Sequence, residues 1–426
     1  MSYLLWILAL LLLVFVHELG HFAVARWTGA KATRFLVGFP PVAVSFHRGE
    51  TEYGLGAIPL GGYVRIVGMN RPAPDDLIIC QDAIEEIDLR RPEGQRDLLR
   101  PTVAALRAAV ADGAAPGECQ TLADRAILAL DADQHLLHPK TYKETRKDLE
   151  RLRDDLDRRA YWRLPVWRRI AIILAGPGAN VLAALVILTA FFALHGQPNP
   201  PKVEPVVAAV TAGMPAAQAG LQVGDRIVSV NGTAVDGDYV KAQQAIQDAK
   251  GGLVTVIVAR DGVERTLAPV RPVEQEGAWR VGVQFQATAV PSTPLTIPQA
   301  AGQALSWSWT IARDSVLGLF RIFTTSDGHK QVSSIVGITQ AGAQSVDSGG
   351  FLWLLGLVSL ALAIFNLLPF LPLDGGHVVV ALAEKLRRGK PLSRVLIERI
   401  SIVGIALVLL LFAIGLNNDI SRFTGP

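Results

Sequence analysis

The stretch "LLLVFVHELGHFAVARW", residues 11–27, closes an apolar run that begins near Tyr3, and it carries two histidines and a glutamate at its far end. About 20 mostly apolar residues suffice to cross the hydrocarbon core of a bilayer, and Tyr3 to Ala25 meets that length. The run lacks a basic leader and a small-residue cleavage site, so it reads as a retained span and not as a secretory signal. Residues four apart share a helix face, so His17 and His21 can offer imidazole nitrogens to one metal ion with Glu18 beside them. HExxH by itself is a short pattern that arises by chance. Its location sharpens it, because a charged side chain near mid-membrane costs roughly 2.5–3.5 kcal/mol and such groups normally face an interior cavity and act there.

Half of the 426 residues are hydrophobic while 19% are charged, so apolar and polar parts must be segregated along the chain. Three more apolar stretches approach spanning length, Ile170 to Leu194, Phe351 to Leu371 and Ile400 to Leu416. The expectation is a polytopic α-helical membrane protein with four transmembrane helices. Lysine and arginine gather at Arg26, Lys31 and Arg34, at Arg163, Arg168 and Arg169, and at Lys385, Arg387, Arg388 and Lys390. The positive-inside rule puts these clusters in the cytoplasm and leaves both termini and residues 196–350 outside. A formal charge of +3, spread among acidic residues, argues against a nucleic-acid partner. Cys80 and Cys119 have no partner at metal-binding spacing and read as reduced thiols.

Between the spans the sequence divides further. Transmembrane helix 1 with HELGH covers 1–27, and 28–69 alternates β-branched or aromatic residues with glycines, which predicts a membrane-associated β-hairpin loop. Residues 70–165 form a charged helical cytoplasmic insertion, with Leu149, Leu152 and Leu156 on one narrow face of its last helix; transmembrane helix 2 covers 166–195. Residues 203–287 hold short alternating strands around one helical stretch, an extracytoplasmic α+β module. Its phrase "GMPAAQAGLQVGDRIVSVNGTAV" resembles a PDZ domain of the permuted bacterial kind, with Gly220, Leu221, Gly224, Asp225, Asn231 and Gly232 at the matching positions. An interfacial amphipathic helix is expected at 295–325, where Arg313, Asp314 and Arg321 oppose burial, followed by transmembrane helix 3 with its LDGG motif at 351–377 and helix 4 at 400–417.

A catalytic zinc needs three protein ligands and an open position. "NLLPFLPLDGGH", residues 366–377, is the stretch that the topology sets level with the histidines, and it offers Asp374 as third ligand, with His377 an alternative. Pro369 and Pro372 should break the helix, and nonhelical backbone at membrane depth is tolerated only where it lines a protein or water cavity. Asn366 could donate its amide to a substrate carbonyl. Retained Glu18 speaks against the competing reading, a noncatalytic membrane scaffold or transporter subunit with a binding module and a structural metal.

HELGH at 17–21, "ETEYGLGAIPLGGYVRI" at 50–66, "VWRRIAIILAGPGANVL" at 166–182, the PDZ-like phrase and "NLLPFLPLDGGH" together resemble the site-2 protease family of intramembrane zinc metalloproteases, of the bacterial type that carries an extracytoplasmic PDZ domain. The resemblance covers most of the chain outside the insertion. It implies Zn2+ as cofactor, His17, His21 and Asp374 as ligands, Glu18 as general acid/base and Asn366 as a substrate-positioning group. It further implies regulated intramembrane proteolysis in the bacterial inner membrane, near the cytoplasmic side. The substrates would be single-pass membrane proteins such as anti-sigma factors or signal-peptide remnants, pretrimmed by another protease, with the PDZ module as size filter or tail sensor. A substrate must unwind to be cut, and pairing with a strand edge of the β loop would replace its lost hydrogen bonds. Phe39, Val42, Val44, Gly54, Leu55, Gly56 and Pro369 are the candidate contacts, with pairing placed on Val42 to Phe46 or Tyr53 to Ile58. The chain departs from the family pattern at Gly38-Phe39-Pro40 in place of G-x-G, at the displaced Pro372, and at "SSIVGITQ", 333–340, in place of G-P-x-G-I.

Overall fold

A computed structural model describes residues 1–424 except 70, 93, 198–201, 276, 277, 289, 291, 325–334, 349, 389–391 and 393. Lys390 and the two serines that begin "SSIVGITQ" lie outside the described residues. The chain forms two compact units, Met1–Phe191 with Ile297–Pro426, and Phe192–Thr296.

The first unit opens with α1 (Ser2–Trp27), which buries Trp6, Leu13, His17, His21 and Ala25 along one stripe and exposes Leu4, Leu5, Leu8 and Leu12. An apolar helix with exposed leucines suits lipid. β1 (Ala32–Arg48) and β2 (Thr51–Ile66) follow, antiparallel, and each is bent so that its two halves pair separately. Leu36 pairs with Gly54 on one side and Tyr63 on the other, while Ser45 also pairs with Gly54. From edge to edge the sheet therefore runs 42–48, 51–58, 34–39, 62–66. The ladder lapses at Pro40 and Pro41, which have no N–H to give.

Next come α2 (Gln81–Arg90), α3 (Leu99–Ala111), α4 (Pro116–Ala132) and α5 (Pro139–Asp155), which enclose a core of their own around Cys80, Ile87, Leu99, Leu106, Leu130 and Leu149. α5 turns Thr145, Leu149 and Leu152 inward. Both cysteines are free and buried, and burial pushes the Cys80 thiol up to about 12. The tail of this helical body is laced to the base of the sheet. Lys31 Nζ lies 3.1 Å from Asp157 and 3.4 Å from Asp154, Arg159 pairs with Glu50 at 2.7 Å, and the Gly68 N–H donates to Asp155 Oδ1 at 2.9 Å. α6 (Val166–His195) then runs 30 residues with Pro177 inside it.

The second unit holds β3 (Lys202–Val210), α7 (Pro215–Gln218), β4 (Arg226–Val230), β5 (Thr233–Ala234), α8 (Tyr239–Asp248), β6 (Val256–Arg260), β7 (Val263–Thr266), β8 (Val273–Gln275), β9 (Ala278–Arg280) and β10 (Val283–Thr288). The main sheet runs β10-β3-β4-β6-β7 with β5 on β4, and β8 and β9 make a separate hairpin. Val207, Ile227, Val230 and Val258 fill the core against Ala242 and Ile246 of α8. Arg260 donates two hydrogen bonds, 2.7 and 2.8 Å, to the buried carboxylate of Asp225. A 530 Å³ groove lies between α8 and β10, lined by Tyr239, Gln243, Ile246 and Phe285.

The chain returns to the first unit with α9 (Ile297–Thr324), α10 (Ile335–Ser348), α11 (Phe351–Asn366), α12 (Asp374–Leu386) and α13 (Arg394–Thr424). Trp307 of α9 meets Trp353 of α11 edge-on, with ring centroids 5.0 Å apart. α10, which the sequence reading did not anticipate, covers the buried Trp6. Among the described residues three helices are long and apolar enough to cross a membrane: α1, α6 and Leu396–Ile420 within α13. The stretch expected as the third span, 351–377, is broken as its two prolines predict. α11 stops at Asn366 after 16 residues, about 24 Å and short of a ~30 Å core, and a new helix starts at Asp374. Pro369 and Pro372 lack the N–H a helix needs, and proline biases the residue before it away from helical backbone.

Candidate metal centre

α1 brings His17 and His21 to one face, with Nε2 atoms 3.2 Å apart. Asp374, in the first turn of α12, sets its Oδ2 3.2 Å from His17 Nε2 and 3.3 Å from His21 Nε2. Among the described residues these three are the His/Cys/Asp/Glu group able to hold a metal ion, their ligand atoms all within 4.8 Å of one another. His377 stands one turn further along α12 and outside this cluster.

The donor set fits zinc. His21 commits Nδ1 to the Ile172 carbonyl at 2.8 Å, which can only accept, so its Nε2 carries a lone pair. Asp374 Oδ2 is buried with no hydrogen-bond partner. A carboxylate and imidazoles with their lone pairs turned to one point, largely out of water, are costly unless a cation joins them.

Three elements surround this point. α6 passes so close to His21 that a β-carbon on Gly176 would overlap Nε2. Arg169 of α6 pairs with Glu384 of α12 at 2.7 Å, with both side chains largely buried, which ties the helix carrying Asp374 to the wall behind the histidines. Glu18 lies against the 62–66 row of the sheet, where a β-carbon on Gly62 would overlap Glu18 Cγ.

The other predicted site residues fall in different places. Asn366 ends α11 and donates its amide to its own helix, at Leu362 O, 3.0 Å. Pro369 is exposed in the turn before Asp374. Gly54 and Leu55 are paired on both sides, and Gly56 pairs with Val42, so the Tyr53–Ile58 strand is interior and offers no free edge along Gly54 and Leu55. Val42 and Val44 sit on the far edge, three rows from Gly62–Ile66, about 14 Å at the usual strand spacing. Phe39, 43% exposed, leans its ring on Gly61. Bends in β1 and β2 make a four-row sheet of the expected β-hairpin loop, which is why Gly54 and Leu55 fall in an interior row.

Sequence reading missed Gly62, Gly176 and Asn180. The signal lay in "PLGGYVRI" and "AGPGANVL", but spacing cannot say which glycine meets a side chain far away in sequence. Asn180 of α6 is fully buried, with its side chain 3.2 Å from His17 Nδ1.

The sequence model of "Peptidase family M50" matches residues 5–411. The zinc metalloprotease Rip1 of Mycobacterium tuberculosis is 30% identical over 430 residues, covering 90% of this chain and 85% of its own. The zinc metalloproteases RasP of Geobacillus kaustophilus and Bacillus licheniformis are 28% and 29% identical, each covering 96% of both chains.

Proposed function

Because the chain belongs to peptidase family M50, the site-2 proteases, and is a zinc metalloprotease of the membrane, we propose that it cuts the transmembrane segment of single-pass membrane proteins in regulated intramembrane proteolysis. The noncatalytic alternative is thereby set aside. The observation that carries the proposal is the convergence of His17, His21 and Asp374 within 4.8 Å, with Glu18 next to His17 in sequence and against the 62–66 row of the sheet.

His17 and His21 would hold the ion through Nε2 and Asp374 through Oδ2. When bound, the ion lowers the pKa of its water ligand and polarises the scissile carbonyl. Glu18 takes the proton from the attacking water and hands it to the leaving amine. A substrate strand would add along Gly62–Ile66, the edge nearest Glu18, so that its backbone finds partners as its helix unwinds. Asn366 would reach the substrate only by releasing Leu362 O.

Four spans complete this reading, with α11, the turn at 367–373 and α12 together forming the third. The basic clusters support a cytoplasmic active site and an outer second unit. That unit's sheet, its α8 groove and the Asp225 and Asn231 turns support its assignment as a PDZ domain at 203–287, filtering substrates already trimmed outside, anti-sigma factors or signal-peptide remnants among them. The purified chain should contain one zinc and cut a single-span reporter, and Glu18→Gln should stop the cut. A fully metallated protein that leaves such reporters intact would refute the proposal.

A further inference from the structure

Asn180 sits on α6 four residues beyond Gly176, which is itself four beyond Ile172. One face of α6 thus meets both histidines: the Ile172 carbonyl takes His21 Nδ1, Gly176 admits the His21 ring, and the Asn180 amide meets His17 Nδ1. Asn180 is itself held from behind, for the buried Ser359 of α11 donates its hydroxyl to the Asn180 backbone carbonyl at 2.8 Å. Its Nδ2 lies 3.2 Å from His17 Nδ1, while its Oδ1 is buried without a partner.

That placement conflicts with the chemistry of the ring. His17 Nε2 faces His21 Nε2 and Asp374 Oδ2 and must keep a lone pair to bind metal, so the single proton of the neutral imidazole belongs on Nδ1. A protonated Nδ1 cannot accept from an amide N–H. Nitrogen and oxygen of a carboxamide have nearly the same shape, and a half-turn of the side chain exchanges them. After the exchange the orphaned acceptor faces the Nδ1–H of His17.

We propose that Asn180 is a positioning residue of the metal centre, whose side-chain oxygen accepts the Nδ1–H of His17 and so fixes both the ring plane and the tautomer that leaves Nε2 free for zinc. It does for His17 what the Ile172 carbonyl does for His21. The inference rests on the assignment of His17 as a ligand made above.

Zinc affinity of the full-length chain in detergent, read by chelator competition, tests it together with the ring 15N shifts of His17 in the metal-free protein. Asn180→Leu, which removes the acceptor, should weaken zinc about 10- to 100-fold, the usual loss when a ligand's outer partner goes. Asn180→Asp, whose ionised carboxylate can only accept, should bind zinc at least as tightly as the wild type, and the shifts should show Nδ1–H in both wild type and Asn180→Asp. An Asp variant that binds zinc about 10-fold or more weakly than the wild type, or a wild-type ring protonated on Nε2, overturns the proposal even if Asn180→Leu fails to fold. Unchanged affinity in both variants overturns it too. A His17→Ala chain that keeps wild-type affinity instead brings down the ligand assignment, and this inference with it.

Discussion

Gly176 lies against the imidazole of His21 so closely that a β-carbon would overlap Nε2, the atom that faces Asp374. Gly62 stands in the same relation to Glu18. The two glycines therefore separate metal binding from proton transfer. Gly176→Ala should displace the His21 ring and weaken zinc by at least about tenfold, on the scale of losing a ligand's support. Gly62→Ala should leave zinc stoichiometric while slowing cleavage, because it displaces only Glu18. Metal analysis beside single-turnover cleavage checks both, and zinc loss in Gly62→Ala would contradict the assignment.

Glu18→Gln keeps the side chain's shape and removes no ligand, so zinc should remain while the rate falls by about 100-fold or more, the usual contribution of general acid–base catalysis. Full turnover in the metallated variant would take Glu18 out of the mechanism.

Asp374→Asn should weaken zinc and cleavage together, by more than the ~10- to 100-fold that losing an outer partner costs. His377→Ala should keep zinc near one per chain, since His377 stands outside the cluster. The reverse order in metal titration would make His377 the third ligand.

Substrate pairing on the inner edge predicts different outcomes for two proline variants. Val64→Pro removes a backbone donor from the inner row and should depress cleavage about tenfold with zinc intact, at about 1 kcal/mol for a lost hydrogen bond. Val44→Pro alters the far edge and should cut near the wild-type rate. If Val44→Pro is the slow variant, the substrate binds the outer edge instead.

The helical insertion should loosen from the sheet in acid. Burial opposes ionisation of Asp157, but the Arg159 N–H and the Lys31 ammonium outweigh it and hold its carboxyl below the usual carboxylate range. A lowered folded pKa stabilises fully above the ordinary value near 3.8, and that stabilisation is lost as pH falls through the folded value. Hydrogen exchange at residues 154–161 should therefore rise as pH drops below about 4, after correction for intrinsic rates. Lys31→Gln should raise it already at neutral pH. Exchange in Lys31→Gln that matches the wild type at every pH would show that the pair does not hold the insertion.

Much of this protein is written locally in its sequence. Apolar length alone marked α1, α6 and α13, because the bilayer sets a minimum helix length whatever the neighbours are. Four-residue spacing put His17 and His21 on one face, because a helix turns 3.6 residues at a time. Two prolines placed the break before Asp374, because a missing N–H is a property of the residue itself. The tertiary structure decided what depends on distant contacts. The bends in β1 and β2 turned Gly54 and Leu55 into an interior row and left Gly62–Ile66 as the edge beside Glu18. The core formed by residues 77–156 made a folded body of what reads as a charged helix with one apolar seam. Asn180 shows the limit most plainly. In sequence it is one polar residue in an apolar span, and only the packing of α6 against α1 sets it within reach of His17, because the hydrogen bond depends on a helix crossing that local periodicity does not encode.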